Sequence, residues 1–362
     1  MNVYDSAFEY TDLAFINEMQ AKELSNVQVE RNDILLNITG ASVARCCMVP
    51  DNILPARVNQ HVSIIRIRQE MANPRHILYC LISHQYKQKL LAIAQGGATR
   101  EALTKEKIED FEILVPSLSN QHKIASILSA YDDLIENNNR RIKILEEMAQ
   151  AIYREWFVNF RFPGHEKVKM VKSELGMIPE GWEVAKVGDL LWKIERRPRV
   201  KKEDYLKQGE IPAIDQGAEF IGGYTNDHDA LHDNPLPIIV FGDHTRIVKY
   251  IDFPFASGAD GTQLLYPENE ELMPAYFYYT VKNIDLSSFA YARHFKFLKE
   301  QEVLIPDSQT LKLFNENVGL FLKQTSIFRK RNDVLRKTRD LLLPKLISGE
   351  IDVENMNFTG RA

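Results

Sequence analysis

Six basic side chains fall within ten residues in Lys193-Ile-Glu-Arg-Arg-Pro-Arg-Val-Lys-Lys202. A loop of that composition can neutralise several phosphates: Lys201 and Lys202 suit phosphate, and Arg196, Arg197 and Arg199 can donate paired hydrogen bonds to guanine in the major groove. The competing use is a solvated basic loop with no partner. A second polar group, Asp243, His244, Thr245 and Arg246, follows the apolar run Leu236–Gly242. Short polar side chains at such a tip suit base or phosphate contact, although Asp243 and Thr245 equally suit bonding within their own turn. The first half carries a comparable tip in Asn37, Thr39, Gly40, Ser42 and Arg45, then Arg57, Asn59, Gln60 and His61. Asn and Gln can bind adenine by two hydrogen bonds, and local turn bonding is their alternative. Thr99, Arg100 and Lys105 correspond loosely to Arg293, His294 and Lys296, and phosphate anchoring is expected of them.

One cluster has metal-ligand composition: Asp227, His228, Asp229, His232 and Asp233, with Asp243-His244 further on. On a helix His228 and His232 would share a face, but Asn234-Pro235 opposes a long helix there, so a polar surface loop is the expected form. Catalytic motifs are missing. There is no Pro-Pro of the amino-methyltransferase motif, no Gly-Lys of a P-loop, no Glu-x-Lys or Asp-x-Lys of the common metal-dependent nuclease core, and no His-Glu-x-x-His. These absences point to a chain without chemistry of its own.

The elements that must position these groups show in the apolar spacing. Ile124, Leu128, Tyr131, Ile135, Asn138, Ile142, Leu145, Ala149, Ile152 and Trp156 form a heptad seam. The weaker copy, 190 residues later, is Phe314, Val318, Phe321, Thr325, Phe328, Asn332, Leu335, Arg339, Leu342 and Leu346. A helix of that length spans about 50 Å, and one apolar stripe along it needs a partner of matching length. Asn138 and Asn332 sit at seam positions where a buried amide can fix register. The aromatic cluster Trp156, Phe157, Phe160 and Phe162 is expected to dock on the second domain as core.

Before each helix lies a block of short β-rich runs. Asp33–Gly40 and His61–Ile67 read as strands and Arg75–Ala94 as helix in the first block; Leu236–Gly242 reads as a strand and Tyr276–Ile284 as helix in the second. The blocks superpose as Leu35–Gly40 on Pro237–Gly242 and Val115-Pro116 on Ile305-Pro306, so each half is one globular domain followed by one long helix. On this alignment the counterpart of Trp182 falls roughly twenty positions before Met1, and the first domain is expected to be incomplete at its start. The chain has 362 residues, 44% hydrophobic and 26% charged, which suits two domains plus connecting helices. A net charge of -5 confines any nucleic-acid surface to local patches. Cys46, Cys47 and Cys80 make neither a paired disulfide framework nor a Cys-x-x-Cys zinc site. With no signal-like N-terminus and no apolar run of spanning length, a cytoplasmic location without membrane attachment is expected.

Four stretches, Glu174-Leu-Gly-Met-Ile-Pro-Glu-Gly-Trp182, Val240-Phe-Gly-Asp-His-Thr-Arg246, Ile152-Tyr-Arg-Glu-Trp-Phe157 and Leu343-Pro-Lys-Leu-Ile-Ser-Gly-Glu-Ile351, together resemble the specificity subunit of type I restriction-modification systems. The resemblance spans nearly the whole chain and departs only at the missing beginning. It implies an α+β fold with two tandem mixed α/β target recognition domains, separated by two long helices that form an antiparallel coiled coil. The expected boundaries are 1–117 and 163–307 for the recognition domains, 118–162 and 308–349 for the helices, and 350–362 for a tail. It also implies a double-stranded DNA partner read as a split sequence, two methylation subunits, and restriction subunits. No cofactor is expected on this chain; S-adenosylmethionine, ATP and magnesium would belong to the partner subunits. A stand-alone enzyme and a coiled-coil scaffold without DNA specificity are the other classes left open.

Overall fold

A computed structural model describes residues 2–96, 102–269, 272–289 and 293–356. The chain divides into two compact units, Met1–Asn139 with Lys330–Ala362, and Arg140–Arg329. The long helices are Leu118–Tyr153 and Ser308–Ile347, and each contributes to both units. The first continues into a π-helical turn, Arg154–Val158, and Phe160 beyond it adopts a positive φ of 56°. Winding therefore stops before Pro163, which only follows the end.

All twenty seam positions are buried or half-buried, and both seams have a partner. In the first unit Ile124 and Leu128 cluster with Leu343 and Leu346, and Arg339 donates to Asp132 at 2.6 Å. The Asn138 amide donates to Asn332 at 2.8 Å, and Asn332 donates to Asn139 at 2.8 Å. Within the second unit Arg329 pairs with Glu146 at 2.6 Å, and Tyr153 and Phe157 pack on Phe314. As the first helix ascends in number the second descends, so the pair is an antiparallel coiled coil. The paired amides satisfy each other where apolar partners alone would permit sliding.

The first unit is built on a three-stranded antiparallel sheet whose middle strand, Ile34–Asn37, lies between Cys46–Met48 and Val62–Ile65. Ile34 and Leu36 face helices Pro74–Ile82 and His84–Gln95, while Leu35 faces Val3, Val29 and Cys47. The expected single helix from Arg75 to Ala94 is thus two. Ser83 stands between them in extended geometry, its hydroxyl donating to the Cys80 carbonyl at 2.7 Å.

In the second unit Ile238–Gly242 lies between Val248–Ile251 and Thr262–Leu265. A four-stranded sheet in the order Gly223–Thr225, Ile211–Ile214, Phe255–Ser257, Leu231–His232 stands beside it. Ile239 and Phe241 face helix Pro274–Asn283, and Ile238 and Val240 face Ile214, Ile251 and Phe255. This alternation corrects the repeat alignment. Leu35 and Val240 occupy the same inward face away from the helices, and Asn37 and Gly242 share the final ladder position. Superposing Gly40 on Gly242 puts Leu36 opposite Ile238, which turns helix-facing side chains toward the other sheet. The intervening tips differ in length, so glycines are poor markers of register.

The aromatic cluster after the first long helix packs as core of the second unit. Trp182 lies 5.2 Å from Phe162, 5.7 Å from Phe160 and 5.8 Å from Phe157, and its indole donates to Asp307 at 3.1 Å. Among the described residues no helix is long and apolar enough to cross a membrane, and the three cysteines are buried thiols.

Candidate nucleic-acid interface

Four loops of the second unit are stitched into one polar surface. The basic run 193–199 leaves Leu191 and ends at Val200, whose amide donates to Ser257 at 3.0 Å and whose carbonyl accepts from Ala259 at 2.7 Å. That fixes Arg199 beside the loop 258–261. Gly261 closes this loop at a φ of +73°, and its carbonyl accepts from the Asp243 amide at 2.7 Å, which joins it to the tip 243–246. Gly242, at the base of the tip, leaves no room for a Cβ against the Thr245 hydroxyl.

Gln216 ties the remaining loop in. Its side chain accepts from the His244 amide at 3.0 Å and donates to the Asp260 carbonyl at 3.0 Å, while its own carbonyl accepts from Thr245 at 2.7 Å. Beneath it Lys249 is only 5% exposed and donates to the carbonyls of Asp215 and Glu219. Burial pulls the Lys249 ammonium below the ordinary lysine range, with Asp215 and Glu219 opposing. Tyr205 donates to Asp215 at 3.4 Å, and burial and that carboxylate push its phenol up. Neither Gln216 nor Lys249 was anticipated from sequence. The glycine density at 217, 222, 223, 258 and 261 was the available signal, since close-packed loops need small residues.

The predicted site residues divide accordingly. His244, Thr245, Arg246 and Arg293 are exposed on this surface, and Arg196, Arg199, Lys201 and Lys202 are exposed along the basic run. Arg197 is half-buried, 3.6 Å from Glu195. Asp243 and His294 are corrected to framework: both are buried, and Asp243 accepts from the Phe295 amide at 2.8 Å, holding the first turn of helix His294–Lys299. The His294 ring lies 2.9 Å from the Asp243 carbonyl and 3.0 Å from that of Phe289. Neither side chain has a face left for a base.

In the first unit Asn37 and Ser42 are likewise corrected. Both are buried, and Asn37 donates its amide to the Val3 carbonyl at 3.1 Å, fastening the edge of the sheet. Arg45 lies over the Tyr4 ring, and Arg57 donates to Ala21, Ala56 and Gln28. Thr39 and His61 pair at 2.8 Å, Asn59 accepts from the His61 amide at 3.0 Å, and Gln60 contacts the His61 ring at 3.3 Å. The exposed members of this tip are therefore Asn59, Gln60 and His61, with Thr39 half-buried beside them. Lys105 opens helix Lys105–Glu109, whereas Thr99 and Arg100 lie outside the described residues.

The acidic-histidine cluster forms a 3-10 turn, His228–Ala230, followed by strand Leu231–His232, so the two histidines share no helical face. Among the described residues no three His, Cys, Asp or Glu side chains are placed to hold a metal. His232 is buried, with its ring 5.5 Å from Phe255. Burial first, then Arg197 and Arg199, pulls its imidazole down to about 4, against Asp233 and Glu195. Because the folded value lies below that of the unfolded chain, His232 contributes stability above pH 6.5 that is lost as pH falls toward 4. Replacing His232 by Phe is expected to flatten the acid destabilisation of the second unit across that window, measured by urea unfolding at a series of pH values.

The family model described as the type I restriction modification DNA specificity domain matches residues 4–147 and 179–333. The MjaIX type I restriction enzyme specificity subunit of Methanocaldococcus jannaschii is 29% identical over 307 residues, 77% of this chain and 69% of that protein. A putative MjaX specificity subunit from the same organism is 26% identical over 245 residues, and the match covers 56% of its length. A crystal structure of a type I restriction-modification S subunit from M. genitalium has the same fold, with a TM-score of 0.54 at 18% identity, covering 88% of this chain and 84% of that one.

Proposed function

The chain belongs to the type I restriction-modification DNA specificity family, and on that premise we propose that it reads a bipartite double-stranded DNA target, one half-site per unit. The observation that carries this reading is the second unit's stitched surface, where the rigid Gln216–Lys249 framework presents His244, Arg246 and Arg293 beside the exposed arginines of 193–199. Preorganised loops lose little entropy on binding, so side chains at their tips can discriminate base edges. The first unit repeats the middle strand, the tip and the adjoining loop 58–61, which supports a second reader of the same plan. The proposed boundaries remain 1–117 and 163–307 for the readers, 118–162 and 308–349 for the spacer, and 350–362 for the tail.

In this reading the chain performs no chemistry. It positions two methylation subunits and the restriction subunits on DNA in the cytoplasm, and those partners hold S-adenosylmethionine, ATP and magnesium. The coiled coil sets the interval between half-sites, and two linked weak binding events multiply through effective concentration. Selection of bound duplexes from a random-sequence pool by the full chain tests this. Two short motifs separated by a constant gap are expected. Recovery of one motif without a partner rejects bipartite reading, and recovery of no motif rejects sequence recognition altogether.

A further inference from the structure

The loop 215–222 joins strand Ile211–Ile214 to strand Gly223–Thr225, and it builds the candidate surface through Gln216 near its start. Its sequence, Asp215-Gln-Gly-Ala-Glu-Phe-Ile-Gly222, offers two large apolar side chains, Phe220 and Ile221. Lys249 holds the near end through the carbonyls of Asp215 and Glu219, and the Gly217 amide donates to the Asp215 carboxylate at 2.8 Å. Phe220 holds the far end. Its ring lies 6.1 Å from that of Phe253, and the Arg329 guanidinium lies over it, 3.9 Å from the ring centre.

Arg329 belongs to the second long helix and makes two contacts at once. Its guanidinium covers the Phe220 ring while its Nη2 donates to Glu146 of the first long helix at 2.6 Å. Nearby on the same helix Ser326 donates to Asp252, the residue before Phe253, at 2.8 Å. All these residues belong to the second unit. A guanidinium already oriented by a carboxylate loses little further freedom in covering a ring, and the half-burial of Arg329 and Phe220 limits competition from water. A continuous set of contacts therefore runs from the long helices through Phe220 to Gln216, and on to the His244 amide and the Thr245 hydroxyl.

We propose that Arg329 is a positioning residue for base reading by the second unit: it holds Phe220 against the long helix and thereby fixes the Gln216 loop that sets the tip 243–246. This rests on the DNA-reading function and adds to it a dependence of sequence preference on a long-helix side chain outside the tip. Phosphate attraction by the basic run tolerates small displacements, whereas hydrogen bonds to a base edge weaken steeply when misaligned. Loss of the Arg329–Phe220 contact therefore lowers preference for the target and leaves attraction to random duplex in place. Loop order missing from the free chain has to be restored on the target, and that is where affinity is lost.

The full chain is compared with its Phe220→Leu, Arg329→Ala and Arg329→Lys variants, titrated by anisotropy with duplexes that the parent selects from a random pool and with random duplex. Phe220→Leu keeps apolar packing and net charge but removes the ring face, while Arg329→Lys can keep both contacts. Phe220→Leu and Arg329→Ala are expected to lower the ratio of target to random affinity about tenfold, the scale of one half-buried cation–π contact. Discrimination is expected to fall at one selected motif and to persist at the other, and Arg329→Lys is expected to restore most of the ratio. Simple destabilisation would lower both affinities alike and leave the ratio unchanged. Without DNA, the Gly217 and His244 amides are expected to exchange faster in Phe220→Leu while those of 239–241 keep their protection. An unchanged ratio where the parent selects motifs, loss at both motifs, or unchanged exchange at Gly217 and His244 overturns this proposal alone. A parent chain that selects no motif overturns it together with the reading on which it rests.

Discussion

Substituting Arg196, Arg197 and Arg199 together by alanine is expected to weaken binding of the full chain to random duplex DNA on the order of 100-fold at low salt, and to reduce the salt slope by about two to three. The estimate follows from counterion release: each phosphate neutralised contributes about 0.9 to the slope of log affinity against log salt, so three lost contacts are separable from a general loss of fold. Against a net charge of -5 the run 193–202, with six basic residues in ten, is a local attraction for a polyanion, and Arg196 and Arg199 are exposed. Arg197 contributes less, since Glu195 lies beside it. Anisotropy titrations across a range of salt concentrations check this. A triple variant with the parental slope would move the phosphate contacts away from this loop, and absence of DNA binding by the parent chain at low salt would favour a scaffold role.

Replacing Phe314 by alanine is expected to destabilise the second unit by about 3–5 kcal/mol, the range for removing a fully buried aromatic side chain. Phe314 has no exposure, and its ring lies 4.9 Å from Phe157, 5.9 Å from Trp156, 6.2 Å from Tyr153 and 6.3 Å from Tyr276. It thus joins the start of the second long helix to the end of the first and to helix Pro274–Asn283, so the cavity left by alanine cannot collapse without moving three elements. Hydrogen exchange during guanidinium unfolding locates the loss. Amides of Pro274–Asn283 should open earlier while those of Ile34–Asn37 keep their protection, and equal protection of both would show that the aromatic hub contributes little.

The helical seams were legible because a heptad pattern is local information, and spacing alone demands a partner of matching length. The Asn138–Asn332 pair was not legible: Asn138 is the fifth position of its seam and Asn332 the sixth of its own, and they meet because the helices run antiparallel. The middle strands Ile34–Asn37 and Ile238–Gly242, and Val62–Ile65 beside the first, were legible from short β-rich runs between turn signals, whereas the four-stranded sheet of the second unit was not. The pairing of Gly40 with Gly242 failed for a physical reason. Strand register is enforced by which face meets the helices, and a slip of three residues reverses every face, an outcome no single run reveals.

The candidate site divides along the same line. Composition identified the basic run and the polar tips, since charge density and short polar side chains are properties of the chain itself. Whether a polar residue at a tip turns outward or serves its own loop depends on partners distant in sequence. Asp243 is claimed by the Phe295 amide and Asn37 by the Val3 carbonyl, and Gln216 acquires its role only because His244 and Asp260 are brought to it. Sequence by itself determined the duplication, the paired helices and the family. Tertiary structure decided which polar side chains remain exposed at the candidate surface, because a buried polar group must first satisfy its own hydrogen bonds and only those left over can meet a ligand.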